Sequence, residues 1–158
     1  MKINDIKYPY IFLSTGFGVG FIPFAPGTMG SALGLCIYIL YAHLYLPLIT
    51  TLLSLTLLLF IGWYATKRTL EILREDDDHQ EIVIDEIVAM MFVAVAIPPD
   101  TIWAIAGFLI FRFFDIVKLY PANLVDEKYK NAFGIMCDDM IAAVYSIALI
   151  IIARNILG

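Results

Sequence analysis

Residues 8–66 contain no Asp, Glu, Lys or Arg. A folded chain must bury so long an uncharged stretch or place it in lipid, and at about 20 residues per crossing it could supply two transmembrane helices. Composition points the same way. Hydrophobic residues make up 61% of the 158 positions, above the roughly 45–50% usual for soluble domains. The chain therefore reads as a single all-α domain, residues 1–158, built as a multi-pass helical membrane bundle. The later apolar segments are shorter: residues 87–99 and 101–111 stay uncharged for only 13 and 11 positions. An unusually apolar soluble bundle is the alternative.

Punctuation by Gly and Pro divides the chain. Residues 11–31 are apolar but interrupted by Gly16, Gly18, Gly20, Pro23, Pro26, Gly27 and Gly30. That density excludes one regular helix and predicts a short helix followed by a structured loop. About five main helices follow, near residues 30–45, 47–75, 83–97, 101–119 and 137–155. The loop of residues 75–80 is polar, Pro98-Pro99-Asp100 forms a turn, and residues 120–134 form a polar connection. A weakly charged N-terminus followed by Gly-broken apolar sequence does not look like a signal peptide. The net charge of −5, with no basic stripe, argues against a nucleic-acid partner. Cys36 and Cys137 form no CxxC pattern. Cys137 adjoins Asp138, and a neighbouring carboxylate disfavours a reactive thiolate.

Against this background five acids stand out. Asp85, Glu86, Asp115, Asp138 and Asp139 lie at or just inside the ends of apolar stretches, with Arg112 and Lys118 close by in sequence. Charged groups in a membrane environment are costly and usually face one another, water or a ligand. Nine of the ten Lys and Arg residues fall on one side of a bundle whose N-terminus is inside, all but Arg154. This is the positive-inside pattern. The same orientation brings the Gly-Pro loop, Asp85-Glu86, Arg112-Asp115-Lys118 and Asp138-Asp139 to the cytoplasmic membrane surface.

The residue types at that surface suggest a hard cation and a phosphate. Each acidic pair would open a helix, where the helix dipole favours negative charge, so simple capping accounts for either pair alone. But Ala89 follows Asp85 by four residues, and Ala142 and Ala143 follow Asp138 and Asp139 by four. Small residues at that spacing let helices approach closely and bring the two pairs together. Asp85, Glu86, Asp138 and Asp139 are then candidate ligands for Mg²⁺, Mn²⁺ or Ca²⁺, with Asp115 as a further one. Arg112 has the planar fork that suits phosphate, or it pairs internally with Asp115. Lys118 is a second phosphate contact or a snorkelling interfacial lysine. Gly27, Thr28, Gly30 and Ser31 form a phosphate cradle in kind, or merely a capped turn, and they do not make a P-loop. No Ser-His or Cys-His pair argues for a covalent intermediate.

In order and spacing, GFGVGFIPFAPGTMGS, IVIDEIVAMM, FRFFDIVKLYP and GIMCDDMIAA resemble the phosphatidylglycerophosphatase A family over about residues 14–145. PGTMGS and GIM-x-DD are the most specific elements. The chain has Ala89 and Ala143 where that family usually has Gly, and Leu119 where it has Pro. The resemblance implies an all-helical, Mg²⁺-dependent phosphatase of the bacterial inner membrane. Such an enzyme removes the terminal phosphate of phosphatidylglycerophosphate to give phosphatidylglycerol, so its partners are the bilayer and a phospholipid substrate. Asp139, Asp115 and Arg112 are the expected catalytic groups, with Asp139 orienting the attacking water. Two other readings are a CDP-alcohol phosphotransferase, whose DG-x₂-AR pattern is absent, and a small cation transporter subunit. Transport would place acids near mid-membrane on several helices rather than at one boundary.

The charge asymmetry predicts a topology. In a chain with both native cysteines replaced, cysteines introduced at Asn4 and Asn131 should resist impermeant reagents added to intact cells and react after permeabilisation. Labelling of both from outside would reverse the orientation.

Overall fold

A computed structural model describes Met1, residues 3–73 and residues 79–157. Among these residues all regular structure is helical and no strand occurs. The α-helices are α1 (Pro9–Ser14), α2 (Pro26–Ala42), α3 (Leu48–Leu73), α4 (Ile84–Ala96), α5 (Thr101–Val117), α6 (Ala122–Lys128) and α7 (Ala132–Leu157). Short 3₁₀ turns cover Ile3–Lys7 and Val19–Phe21. The five expected main helices are α2, α3, α4, α5 and α7. The Gly/Pro-broken segment holds α1 and one 3₁₀ turn, and the polar connection holds α6. Lys2, Arg74 and most of the 75–80 loop lie outside the described residues.

Helix α4 is the centre. Nine of its 13 residues are buried, Asp85 among them. It packs most extensively on α2 and α7, with α3 and α5 completing its surroundings. A helix that is apolar on every side is stable only when enclosed in this way. Small residues set the spacing. Ala89, Ala142 and Ala143 are fully or almost fully buried together where α4 meets α7. On the other side Gly34 of α2 lies against the α4 backbone, and a Cβ there would sit 2.4 Å from the Ile87 carbonyl oxygen. The start of α4 is tied down by Val83, whose N–H donates to the Ser14 carbonyl at 3.0 Å.

Two helices, α3 and α7, are long and apolar enough to cross a membrane. At 26 residues each, they would extend about 39 Å against a hydrocarbon core of about 30 Å. Helix α3 leaves Leu53, Leu57 and Phe60 exposed along its outer side. Helices α2 and α5 have 17 residues each.

Three boundaries differ from the sequence expectation, and each has a local cause. Helix α7 begins at Ala132 rather than near 137, because the Asn131 side chain caps it, accepting from Phe133 N at 3.0 Å and Gly134 N at 3.2 Å. Asp138 and Asp139 therefore lie inside the helix and do not open it. Helix α2 begins at Pro26, a residue suited to a first turn, so Thr28 and Ser31 are helical and neither caps it. Helix α5 ends at Val117, and Lys118 follows in a left-handed conformation at φ 46°. At the other end of α5, Asp100 caps as its position suggests, accepting from Ile102 N at 2.8 Å.

Gly34 tests the α2–α4 contact. Its neighbour is rigid main chain, so Gly34→Ala must push the helices apart and should cost about 1–3 kcal/mol. Gly62→Ala meets only movable side-chain ends, Ile84 Cγ1 at 3.1 Å and Met136 Cε at 3.3 Å, and should cost less. Thermal unfolding in detergent measures both; equal midpoints for Gly34→Ala and the wild type would disprove the tight contact.

Candidate active site

The ends of four helices meet around one cleft of about 450 Å³. Helix α4 contributes Asp85 and Glu86 from its first turn. Helix α7 contributes Asp138 and Asp139 from its second turn. The last turns of α5 contribute Arg112 and Asp115, with Lys118 just beyond. The start of α2 contributes Pro26 and Gly27. All five acids and both cations line this cleft, together with Pro23, Ala25 and Gln80. Asp85, Asp115, Asp138 and Asp139 are each at most 9% exposed. Ionised carboxyls at such burial need compensating partners.

The acids divide into two groups. One carboxylate oxygen each from Asp85, Glu86 and Asp139 falls within a 4.8 Å cluster. Asp138 and Asp139 are neighbours on one helix and diverge by about 100°. Asp138 accordingly turns to Lys118, whose ammonium donates to Asp138 Oδ2 at 2.6 Å. Arg112 joins the fifth acid, Asp115, to the first group. It forms a direct ion pair with Asp115, donates to Ser31 Oγ at 3.2 Å and lies 4.0 Å from Glu86 Oε1. Ser31 in turn donates to the Gly27 carbonyl at 2.8 Å. Arg112 is thus both an internal ion-pair partner and part of the cleft wall.

The loop residues behave differently from one another. Gly27 lines the cleft, and a Cβ on it would fall 2.2 Å from Glu86 Oε1. Thr28, Gly30 and Ser31 are not among the lining residues. Gly30 instead lets α2 approach Val83, whose Cβ would lie 2.8 Å from an added Cβ. Ser31 is fully buried and reaches the site only through Arg112.

A hard divalent cation fits the clustered acids. Glu86 Oε2 and Asp139 Oδ2 are buried and accept no hydrogen bond, and Arg112 Nε is buried without an acceptor. Orphaned buried polar atoms are costly. Convergent carboxylate oxygens are the ligand type that Mg²⁺ and Ca²⁺ take.

One residue of this network escapes sequence reading. Asp126 of α6 accepts from the Lys118 ammonium at 3.0 Å and lies 3.5 Å from Lys130. Burial pushes the Asp126 carboxyl up, but Lys118 and Lys130 outweigh it and hold the group below the usual range. Burial favours neutral Lys118, yet Asp138 and Asp126 raise it above the ordinary lysine value. Asp126 lies in a connection that reads as a surface loop. The one available signal is Lys130 four residues on, a spacing that suits an exposed helical pair.

Comparison with known proteins identifies the chain as a phosphatase. The sequence model of the family described as Phosphatidylglycerophosphatase A matches residues 12–154. The chain belongs to that family. It is 39% identical to phosphatidylglycerophosphatase A of Haemophilus influenzae over 151 residues, 95% of this chain and 91% of that protein. It is 37% identical to phosphatidylglycerophosphatase A of Escherichia coli K12 over 139 residues, 87% of this chain and 79% of that protein. A Bacteroides thetaiotaomicron protein with the provisional name phosphatidylinositol-3-phosphatase is 39% identical over 155 residues, 94% of this chain and 95% of that protein. No solved structure matches the chain.

Gly27 offers a test of the cleft that leaves the core alone. A methyl group there displaces the Glu86 carboxylate and crowds Arg112 Nη1, 3.4 Å away. Both are side-chain ends, so the fold should survive. Gly27→Ala should lower turnover at least tenfold while the melting midpoint stays within a few degrees. Normal turnover would show that the Gly27–Glu86 contact is irrelevant to the site.

Proposed function

We propose that the chain is a multi-pass protein of the bacterial inner membrane that hydrolyses the terminal phosphate of phosphatidylglycerophosphate, yielding phosphatidylglycerol, in a Mg²⁺-dependent reaction at the cytoplasmic face. The observation that carries this reading is the convergence of Asp85, Glu86 and Asp139 within 4.8 Å on a cleft that also holds Arg112 and Lys118. Two membrane-length helices and the Lys/Arg asymmetry support the location.

Asp85, Glu86 and Asp139 would hold the metal, with Asp138 joining them. When bound, Mg²⁺ supplies positive charge to the phosphate oxygens and acidifies water. Arg112, fixed by Asp115 and Ser31, presents the rest of its guanidinium to the phosphate as negative charge develops. Lys118 at the cleft wall is a second cation for the same group. Asp139 orients the attacking water through its unbonded oxygen. Gly27 keeps the α2 backbone close enough to close the cleft on that side, Gly30 lets α2 approach Val83, and Ser31 holds Arg112.

A second substrate deserves direct comparison, because one of the relatives carries a phosphoinositide-phosphatase name at equal identity. Purified protein in detergent should release phosphate from phosphatidylglycerophosphate with Mg²⁺ and stop in excess chelator. Asp139→Asn keeps shape but removes charge, and should reduce turnover on the order of 10²-fold or more, as for loss of one preorganised group. Full chelator-resistant activity would eliminate the metal reading. Preferential hydrolysis of phosphatidylinositol 3-phosphate would move the substrate assignment to that lipid.

A further inference from the structure

We infer that Asp126 is a positioning residue that takes up the Lys118 ammonium and thereby releases Asp138 for a divalent cation. The inference rests on the metal reading proposed above. Lys118 leaves α5 in a left-handed conformation at φ 46°, uncommon for a residue with a side chain. Its side chain spans from the cleft to α6. There the ammonium meets two acceptors at once, Asp138 Oδ2 at 2.6 Å and Asp126 Oδ1 at 3.0 Å. The two acids differ in setting. Asp138 has a side chain only 6% exposed, whereas that of Asp126 is 31% exposed.

A cation held by Asp85, Glu86 and Asp139 can recruit Asp138 only in competition with the ammonium already bound to it. A half-buried ammonium that lost its only partner would be penalised heavily. Asp126 removes that penalty, because an ammonium has three donors and the second acceptor is already in contact. No main-chain movement is needed. Helix α6 is held in place against α7 through buried Ala122, and the preceding turn is tied to α7 by Tyr145, whose hydroxyl donates to the Tyr120 carbonyl at 2.6 Å. Lys130 approaches the same Asp126 oxygen at 3.5 Å, so it competes with Lys118 for that acceptor. Sharing of Lys118 between the two acids therefore sets how readily Asp138 is available, and it keeps the ammonium at the cleft wall throughout.

Mn²⁺ binding to the full chain in detergent micelles, followed by electron paramagnetic resonance, tests this without relying on turnover. Asp126→Asn leaves Lys118 to Asp138 alone and should weaken Mn²⁺ affinity roughly three- to tenfold, the effect of one partly exposed ion pair. Asp126→Glu should restore most of it. Lys118→Met removes the competitor and should bind Mn²⁺ at least as tightly as the wild type. In that background Asp126→Asn should have no further effect. Lys130→Met changes an exposed side chain, cannot threaten folding, and should tighten Mn²⁺ binding only while Lys118 is present. Wild-type affinity in both Asp126→Asn and Lys130→Met would overturn the inference, as would equal losses from Asp126→Asn with and without Lys118. A wild-type chain that fails to bind Mn²⁺ would remove the metal reading, and this inference with it; binding that is indifferent to Asp126 removes the inference alone.

Discussion

Everything in this structure depends on how closely α4 is held between α2 and α7. Main chain meets main chain at Gly34 and Ile87, and alanines meet at Ala89, Ala142 and Ala143. With larger residues there the bundle could still be apolar and helical, but the first turn of α4 and the second turn of α7 would stand apart. The carboxyls of Asp85, Glu86 and Asp139 would then find water separately. Close packing forces them together and dries them, which costs several kcal/mol per uncompensated ion. The core thus generates the demand for positive charge that the site goes on to use.

Arg112 and Lys118 meet that demand unequally. Arg112 is held through one nitrogen, Nη1, by both Asp115 and Ser31, which anchors its guanidinium as a charge of the cleft wall. Ser31 looks like a substrate contact in sequence, yet it is buried and works through Arg112. Lys118 divides its ammonium between two acids on different helices. A planar fork and a point charge suit different tasks: the first fixes direction, and the second is shared between acceptors.

Much of this was legible in the sequence, for physical reasons that also explain the gaps. Charge in an apolar stretch is conspicuous, so Asp85, Glu86, Arg112, Asp115, Lys118, Asp138 and Asp139 could all be singled out, and they share one cleft. Helix existence was equally plain from the apolar runs. Boundaries were harder, because caps act over three or four residues and compete with stronger-looking signals. Gly134 suggested a loop, while Asn131 starts α7 ahead of it. Pro26 suggested a break, while it opens α2. The division of the acids into a cluster of three and an Asp138–Lys118 pair depends on helix phase across different elements. Asp126 depends on how a short connecting helix folds back, which no local pattern records.

Depth is the remaining consequence of these boundaries. Because α7 starts at Ala132, Asp138 and Asp139 lie six and seven residues inside it, about 9–10 Å along its axis. Helix α4, with 13 residues, spans only about 20 Å, less than the roughly 30 Å hydrocarbon core. Helix α7 thus runs on past the acids, whereas the start of α2 and the end of α5 meet the acidic start of α4 at the cleft. A phosphate carried by a lipid can approach this cleft from the side of the bundle. The cleft has an apolar flank suited to that approach: Ile116, which lines it, is 68% exposed, and Phe24, between the lining residues Pro23 and Ala25, is 81% exposed. A lipid headgroup can reach the acids from that flank while its chains stay among apolar side chains. A water-soluble phosphate ester gains nothing from the same apolar rim. The exposed apolar rim therefore suits the lipid substrate of the family on grounds that are independent of the chemistry of the acids.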